Sequence, residues 1–156
     1  MLQHTQLLPG SIFDNLHASN PNLTEEEMLA LLRLVAIRDD VTNMPMGLNT
    51  VIMGDGRTFS MGQRQRLVLA RCLAKPLSLI LLDEATSALD NFSQDVILKT
   101  LKQLPITRIT VAHRPSTIRC ADRLIVMDKG KIVRRDEGPR KTKLNPSLLQ
   151  EAHPVN

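Results

Sequence analysis

Tryptophan and tyrosine are absent from the 156 residues, and phenylalanine occurs three times. A core folded from such a chain is aliphatic, and rings to stack on nucleobases are scarce. The formal charge of +4 and the pI near 9.4 arise from scattered lysines and arginines. The one local run is "RRDEGPRKTK", mixed in sign and expected to be solvated. A basic surface without aromatic partners argues against nucleic acid as a ligand. Cysteine is scarce too: Cys72 and Cys120 stand far apart, with no CxxC spacing and no histidine beside them. They are expected as buried thiols of a reducing compartment rather than a disulfide or a metal pair. His4, His17 and His153 lack partners at ligand spacing and are expected to be solvated. No signal-peptide pattern opens the sequence, and no uncharged apolar run approaches the roughly 18 residues a membrane span needs. The chain itself is expected to be soluble.

What remains is about one domain of chain, with hydrophobic residues at 42% and charged residues at 23%, ordinary for a globular protein. The first half is helical in pattern. Ser11 can cap "SIFDNL". In "TEEEMLALLRLVAI", Thr24 and Glu27 have capping-box spacing, and Met28, Leu31, Leu32 and Val35 share one face. "DDVTNM" predicts a short helix before Pro45, followed by a glycine-rich loop, "GLNTVIMGDGRT", whose methionines are packing or loop residues. From Ser60, "SMGQRQRLVLARCLA" opens a longer helix that Lys75-Pro76 ends.

The period then changes. "LSLILLD", "RITVAH" and "RLIVMD" are short apolar runs suited to strands buried on both faces of a mostly parallel sheet. With the helical "NFSQDVILKTLKQL" between the first two, residues 78–112 form an expected βαβ unit. Gly130 in "MDKGKIV" predicts a hairpin returning through "KIVRR". Beyond Arg135 the pattern fades into a loose tail, residues 136–156.

Two places carry chemistry. Ligands of open α/β sheets gather at the carboxyl ends of strands, and Asp83, Glu84 and His113 stand at such ends. Adjacent acids point different ways: one can hold Mg²⁺ through water, the other can act as general base on an attacking water. His113 can donate to an oxygen that gains charge. In "FSMGQRQR", a loop passes into a helix start. Ser60 offers a hydroxyl, Gly62 permits close approach, and the unpaired amides suit a phosphate. Taken singly, each feature has a plainer meaning: Asp83 and Ser60 as helix caps, Glu84 as a surface acid.

Together they point elsewhere. "FSMGQRQRLVLARCLAKPLSLILLDEATSALD", followed by "VAHRPSTI", resembles the nucleotide-binding domain of ATP-binding cassette (ABC) transporters. The resemblance covers about residues 1–135 and is nearest to bacterial exporters of the peptide or bacteriocin type, whose pre-signature segments "LQHTQLLPGSIFDNL" and "MPMGLNTVI" also look like. It implies an α/β, P-loop NTPase-like fold fragment. Residues 11–74 would be the helical subdomain that docks on a transmembrane partner, and 75–135 would belong to the α/β core.

The resemblance also implies roles. "FSMGQ" is similar to the signature motif, so Ser60, Gly62 and Gln63 would cap the γ-phosphate of ATP held by the opposite subunit. "LILLD" looks like Walker B, with Asp83 serving Mg²⁺ and Glu84 as catalytic base. Ser87 to Asp90 resembles the D-loop at the dimer interface. His113 matches the switch histidine, and Gln3 the Q-loop glutamine that reaches Mg²⁺ and the attacking water. The implied partners are ATP with Mg²⁺, an exporter's transmembrane domain and a second nucleotide-binding domain. The implied location is the cytoplasmic face of the plasma membrane, held there by the transporter.

Two departures stand out. Met61 occupies a position where the family usually has glycine. More seriously, none of the seven glycines, at 10, 47, 54, 56, 62, 130 and 138, belongs to a G-x-x-x-x-G-K-[ST] phosphate loop. The adenine-stacking aromatic is missing as well, and the chain begins at the Q-loop as though the front of the domain were cut away. Three readings follow: a partial ATPase domain that needs a P-loop from another chain, a catalytically silent truncated cassette that binds a partner, or a gene remnant. A chromosome- or repair-type ATPase is disfavoured, because no coiled-coil heptads interrupt the chain.

Overall fold

The computed structural model describes residues 7–53, 58–83, 89–112 and 115–137. The chain divides into two compact units, residues 1–110 and 111–156.

The first unit opens with a two-residue strand, β1 (Gly10–Ser11), running directly into α1 (Ile12–His17). Ser11 caps α1 in a reciprocal box: its hydroxyl accepts from the Asp14 N–H at 3.0 Å, and Asp14 accepts from the Ser11 N–H at 2.7 Å. Helix α2 (Glu25–Leu34) starts in the same way from Thr24 and Glu27, as their spacing predicts. It ends at Val35, after which Ala36 turns the chain with φ of 57°. Helix α3 (Arg38–Thr42) is shorter than the segment expected to reach Pro45. The glycine-rich stretch that follows holds a 3₁₀ turn, Gly47–Asn49, and strand β2 (Val51–Ile52). β2 pairs antiparallel with β1, Ser11 opposite Val51, so part of the expected loop is a strand. Helix α4 (Met61–Leu73) follows its Ser60 cap and stops before Lys75.

Strand β3 (Leu79–Asp83), helix α5 (Asn91–Gln103) and strand β4 (Thr107–Val111) form the expected strand–helix–strand unit, and β3 lies beside β4. β3 is buried on one face only. Ile80 and Leu82 join the core, whereas Leu79 is 47% and Leu81 53% exposed. The core they enter is one aliphatic cluster with a single ring, Phe59, gathered from α1, α2, α3, α4 and α5 around residues such as Leu16, Leu32, Leu69 and Ile97. The apolar helix faces cover one side of the sheet, which accounts for the one-sided burial of a run apolar at every position.

The second unit contains α6 (Pro115–Arg119) and an antiparallel hairpin, β5 (Arg123–Asp128) with β6 (Lys131–Glu137). Lys129 and Gly130 make its turn with φ of 46° and 76°. β6 runs two residues past the expected end at Arg135, and the remainder of the expected tail lies outside the described residues. Neither cysteine forms a disulfide, but only Cys72 is half-buried. Cys120 is exposed, because it stands in the short turn between α6 and β5 rather than on a core-facing helix. Among the described residues, no helix is long and apolar enough to cross a membrane.

Candidate functional site

Ser60 adopts extended backbone before α4, and its hydroxyl accepts from the Gln63 N–H at 3.1 Å. The Gln63 side-chain Oε1 accepts from the Ser60 N–H in return, at 2.9 Å. This capping box satisfies two of the donors that a helix start leaves orphaned. The amides of Met61 and Gly62, the first two helical positions, have no intrahelical carbonyl to receive them. They stand at a surface where Ser60 is exposed and Met61 is 63% exposed. The box uses only the oxygen of the Ser60 hydroxyl, so its hydrogen is a further donor. The result is a small set of donors at the positive end of a helix dipole, suited to an anionic oxygen.

The box is braced from behind. The Gln63 side-chain Nε2 donates to Asp40 Oδ2 at 3.3 Å. The same oxygen takes an ion pair from Arg66 Nη2 at 3.1 Å. Arg66 Nη1 also donates to the Ala36 carbonyl, and Arg66 Nε approaches the Gly62 carbonyl at 3.4 Å. Sequence reasoning did not find Asp40 or Arg66. They lie 26 positions apart, and no local pattern joins them.

Asp83 ends β3, half-buried. Its carboxylate is a hard oxygen donor of the kind Mg²⁺ takes, one or two such groups alongside phosphate oxygens and waters. Among the described residues no group of three His, Cys, Asp or Glu side chains could hold a metal ion by itself. Asp90 caps α5, accepting from the Ser93 N–H at 2.9 Å. That bond, then the Ser93 hydroxyl, holds its carboxyl below the ordinary range, and the Arg66 charge adds a smaller pull. Gln3, Glu84, His113 and the start of the D-loop-like stretch lie outside the described residues.

The sequence model of the ABC transporter family matches residues 1–87. The alpha-hemolysin translocation ATP-binding protein HlyB of Escherichia coli is 40% identical over 147 residues, which are 93% of this chain and 20% of that protein. The lactococcin-A transport/processing ATP-binding protein LcnC of Lactococcus lactis subsp. lactis is 42% identical over 132 residues, 84% of this chain and 18% of that protein. The ATP-dependent lipid A-core flippase of Neisseria meningitidis is 42% identical over 133 residues, 84% of this chain and 21% of that protein. Among solved structures, a bacterial Atm1-family ABC exporter with ATP bound superposes with a TM-score of 0.84 at 30% identity, covering 96% of this chain and 27% of that one. The chain thus spans about a fifth of the length of the curated relatives it matches.

Proposed function

The chain belongs to the ABC transporter family, and from that premise we propose that it supplies the trans-acting face of an ATP site in an export-type transporter. The observation that carries this reading is the first turn of α4. There Ser60 and Gln63 satisfy each other, and the Met61 and Gly62 amides, at the first two helical positions, are donors that a helix start leaves without an intrahelical partner. Those donors meet the γ-phosphate of an ATP whose other phosphates are gripped by a P-loop carried on polypeptide outside these 156 residues. Methionine at position 61 keeps its amide, so the donor set survives the loss of the usual glycine.

In this reading Asp83 would hold Mg²⁺. When bound, the cation neutralises charge on the phosphate oxygens. Glu84 takes a proton from the attacking water, a general-base role worth roughly 10²–10⁴ in rate. His113 donates to the phosphate oxygen that gains charge, Gln3 orients the water near the cation, and Asp90 anchors the D-loop at the dimer interface. Residues 11–74 form the docking subdomain and 75–135 the core portion, whose last strand runs on to Glu137. A transmembrane partner holds the chain at the inner face of the membrane.

The test is association of the full chain with a P-loop-bearing exporter cassette, with Mg²⁺ and a non-hydrolysable ATP analogue present or omitted. Association should require nucleotide, and Ser60→Asp should abolish it, because aspartate caps a helix as well as serine does but repels phosphate. Association that ignores nucleotide would overturn the reading. By itself the chain should hydrolyse ATP poorly or not at all; turnover at an ordinary cassette rate, abolished by Glu84→Gln, would refute the need for a P-loop from another chain.

A second reading is favoured by the missing G-x-x-x-x-G-K-[ST] pattern: the chain binds a cassette partner but is catalytically silent. With ATP in the mixed complex, Glu84→Gln then leaves turnover unchanged.

A further inference from the structure

We propose that Asp40 is a positioning residue for the phosphate-facing turn, acting through Gln63 and held in place by Arg66; this rests on the reading that the Ser60 turn meets a nucleotide. The Gln63 carboxamide has two unlike ends, and each is assigned. Its oxygen receives the Ser60 N–H at 2.9 Å and its nitrogen donates to Asp40 Oδ2 at 3.3 Å. An ionised carboxylate only accepts, so Asp40 dictates which end of the amide faces it, and hence that the carbonyl end faces Ser60. With Asp40 gone, the amide loses that constraint. A reversed amide would set an NH₂ group against the Ser60 N–H, opening the box and shifting the Met61 and Gly62 donors.

Arg66 gives the brace its stiffness. Its side chain is 13% exposed, against 39% for Asp40, so its charge lies mostly out of water and is held by the carboxylate. It also fastens to the Ala36 carbonyl, at the left-handed residue that joins α2 to α3. The start of α4 is thereby tied at two points, to Asp40 through Gln63 and Arg66 and to Ala36 through Arg66. Small displacements of donors from a phosphate oxygen matter because such bonds are short and directional.

The experiment uses the full chain and the nucleotide-loaded cassette described above. Asp40→Ala should weaken nucleotide-dependent association about tenfold, the scale of a lost charge-assisted hydrogen bond. Asn15→Ala, which removes bonds to Leu8 and Ser11 and none to the Ser60 turn, should leave the affinity as it is while the chain remains folded. Asp40→Ala should add little on a Gln63→Ala background, because nothing is left to position. A merely structural role predicts the reverse: Asn15→Ala and Asp40→Ala lower affinity alike, and the Gln63 and Asp40 losses add. Wild-type affinity in Asp40→Ala, with Ser60→Asp inactive, overturns this inference and leaves the function standing. No nucleotide-dependent association in the wild type overturns both. If Asp40→Ala does not fold, Asp40→Asn, which keeps the shape but not the charge, replaces it: a several-fold loss is expected, and unchanged affinity overturns the inference.

Discussion

Asn15 grips the backbone of Leu8 at both of its polar groups. The Leu8 N–H donates to Asn15 Oδ1 at 2.8 Å, and Asn15 Nδ2 donates back to the Leu8 carbonyl at 2.9 Å. A second bond from Nδ2 reaches the Ser11 carbonyl at 2.9 Å. One side chain, 2% exposed, thus does what a neighbouring strand would do for a single residue. It fixes the segment that enters α1. Asn15→Ala deletes all three bonds and leaves partly buried backbone groups without partners. The expected loss is about 2–3 kcal/mol, read as a lower urea midpoint with an unchanged slope. Asn15→Asp should be no better, because it removes both donors and places an acid in their stead.

Acid should loosen the helix starts selectively. Asp14 and Glu27 each accept a backbone N–H, from Ser11 and Thr24 respectively, and those bonds hold both carboxyls below their ordinary values of 3.8 and 4.5. A carboxyl that is more acidic when folded contributes stability that is whole above the ordinary value. That contribution disappears as pH falls through the lower, folded one. Unfolding midpoints should therefore drop as pH falls below about 4, with Glu27→Gln showing a shallower fall than wild type. The box at α4 uses Gln63, an amide that does not titrate, so exchange of the Ser60 and Gln63 N–H groups, the two the box holds, should stay slow in acid after the first turns of α1 and α2 have opened.

The contrast between these boxes and the Asp40–Arg66 tie marks what was legible in the sequence. Capping acts over three residues, so Thr24 with Glu27, and the caps Ser11 and Ser60, are visible as spacing alone. The strand–helix–strand unit is visible because its period changes. Strand β2 is not: Val51 and Ile52 become a strand by pairing with Ser11 and Gly10, some forty positions earlier, inside a stretch whose glycines signal a loop. An unbroken apolar run such as "LILL" also cannot say how many of its faces are covered, and Leu79 and Leu81 prove exposed. Of the candidate site, the Ser60 turn, Asp83 and Asp90 are described, and the turn is built as its cap predicts. What braces it depended on contacts across the fold.

The two thiols should differ in reactivity. Burial raises the Cys72 pKa, with Arg71 and Lys75 opposing it weakly, so little thiolate forms at neutral pH and access is limited. Cys120 is exposed. Iodoacetamide at pH 7.5 should label Cys120 first, several-fold faster by peptide mass mapping, and denaturant should remove the difference. Equal rates in the native chain would mean that α4 does not hold Cys72 against the core.

The hairpin of the second unit turns on two left-handed residues, of which only one suits the conformation. Gly130, at φ of 76°, adopts it without penalty, whereas Lys129, at φ of 46°, carries a side chain there. A Cβ at Gly130 would meet nothing within 4 Å, so an alanine there is opposed by backbone strain alone and not by crowding. Gly130→Ala should therefore lower stability by about 1 kcal/mol. Lys129→Asn should raise it by a few tenths, since Asn-Gly is the pair this two-residue turn prefers. Amide exchange across the register Arg123–Glu137 to Asp128–Lys131 reads both changes in one experiment. Opposite signs at the two positions are expected; slower exchange in Gly130→Ala would show that the turn is made by another backbone geometry.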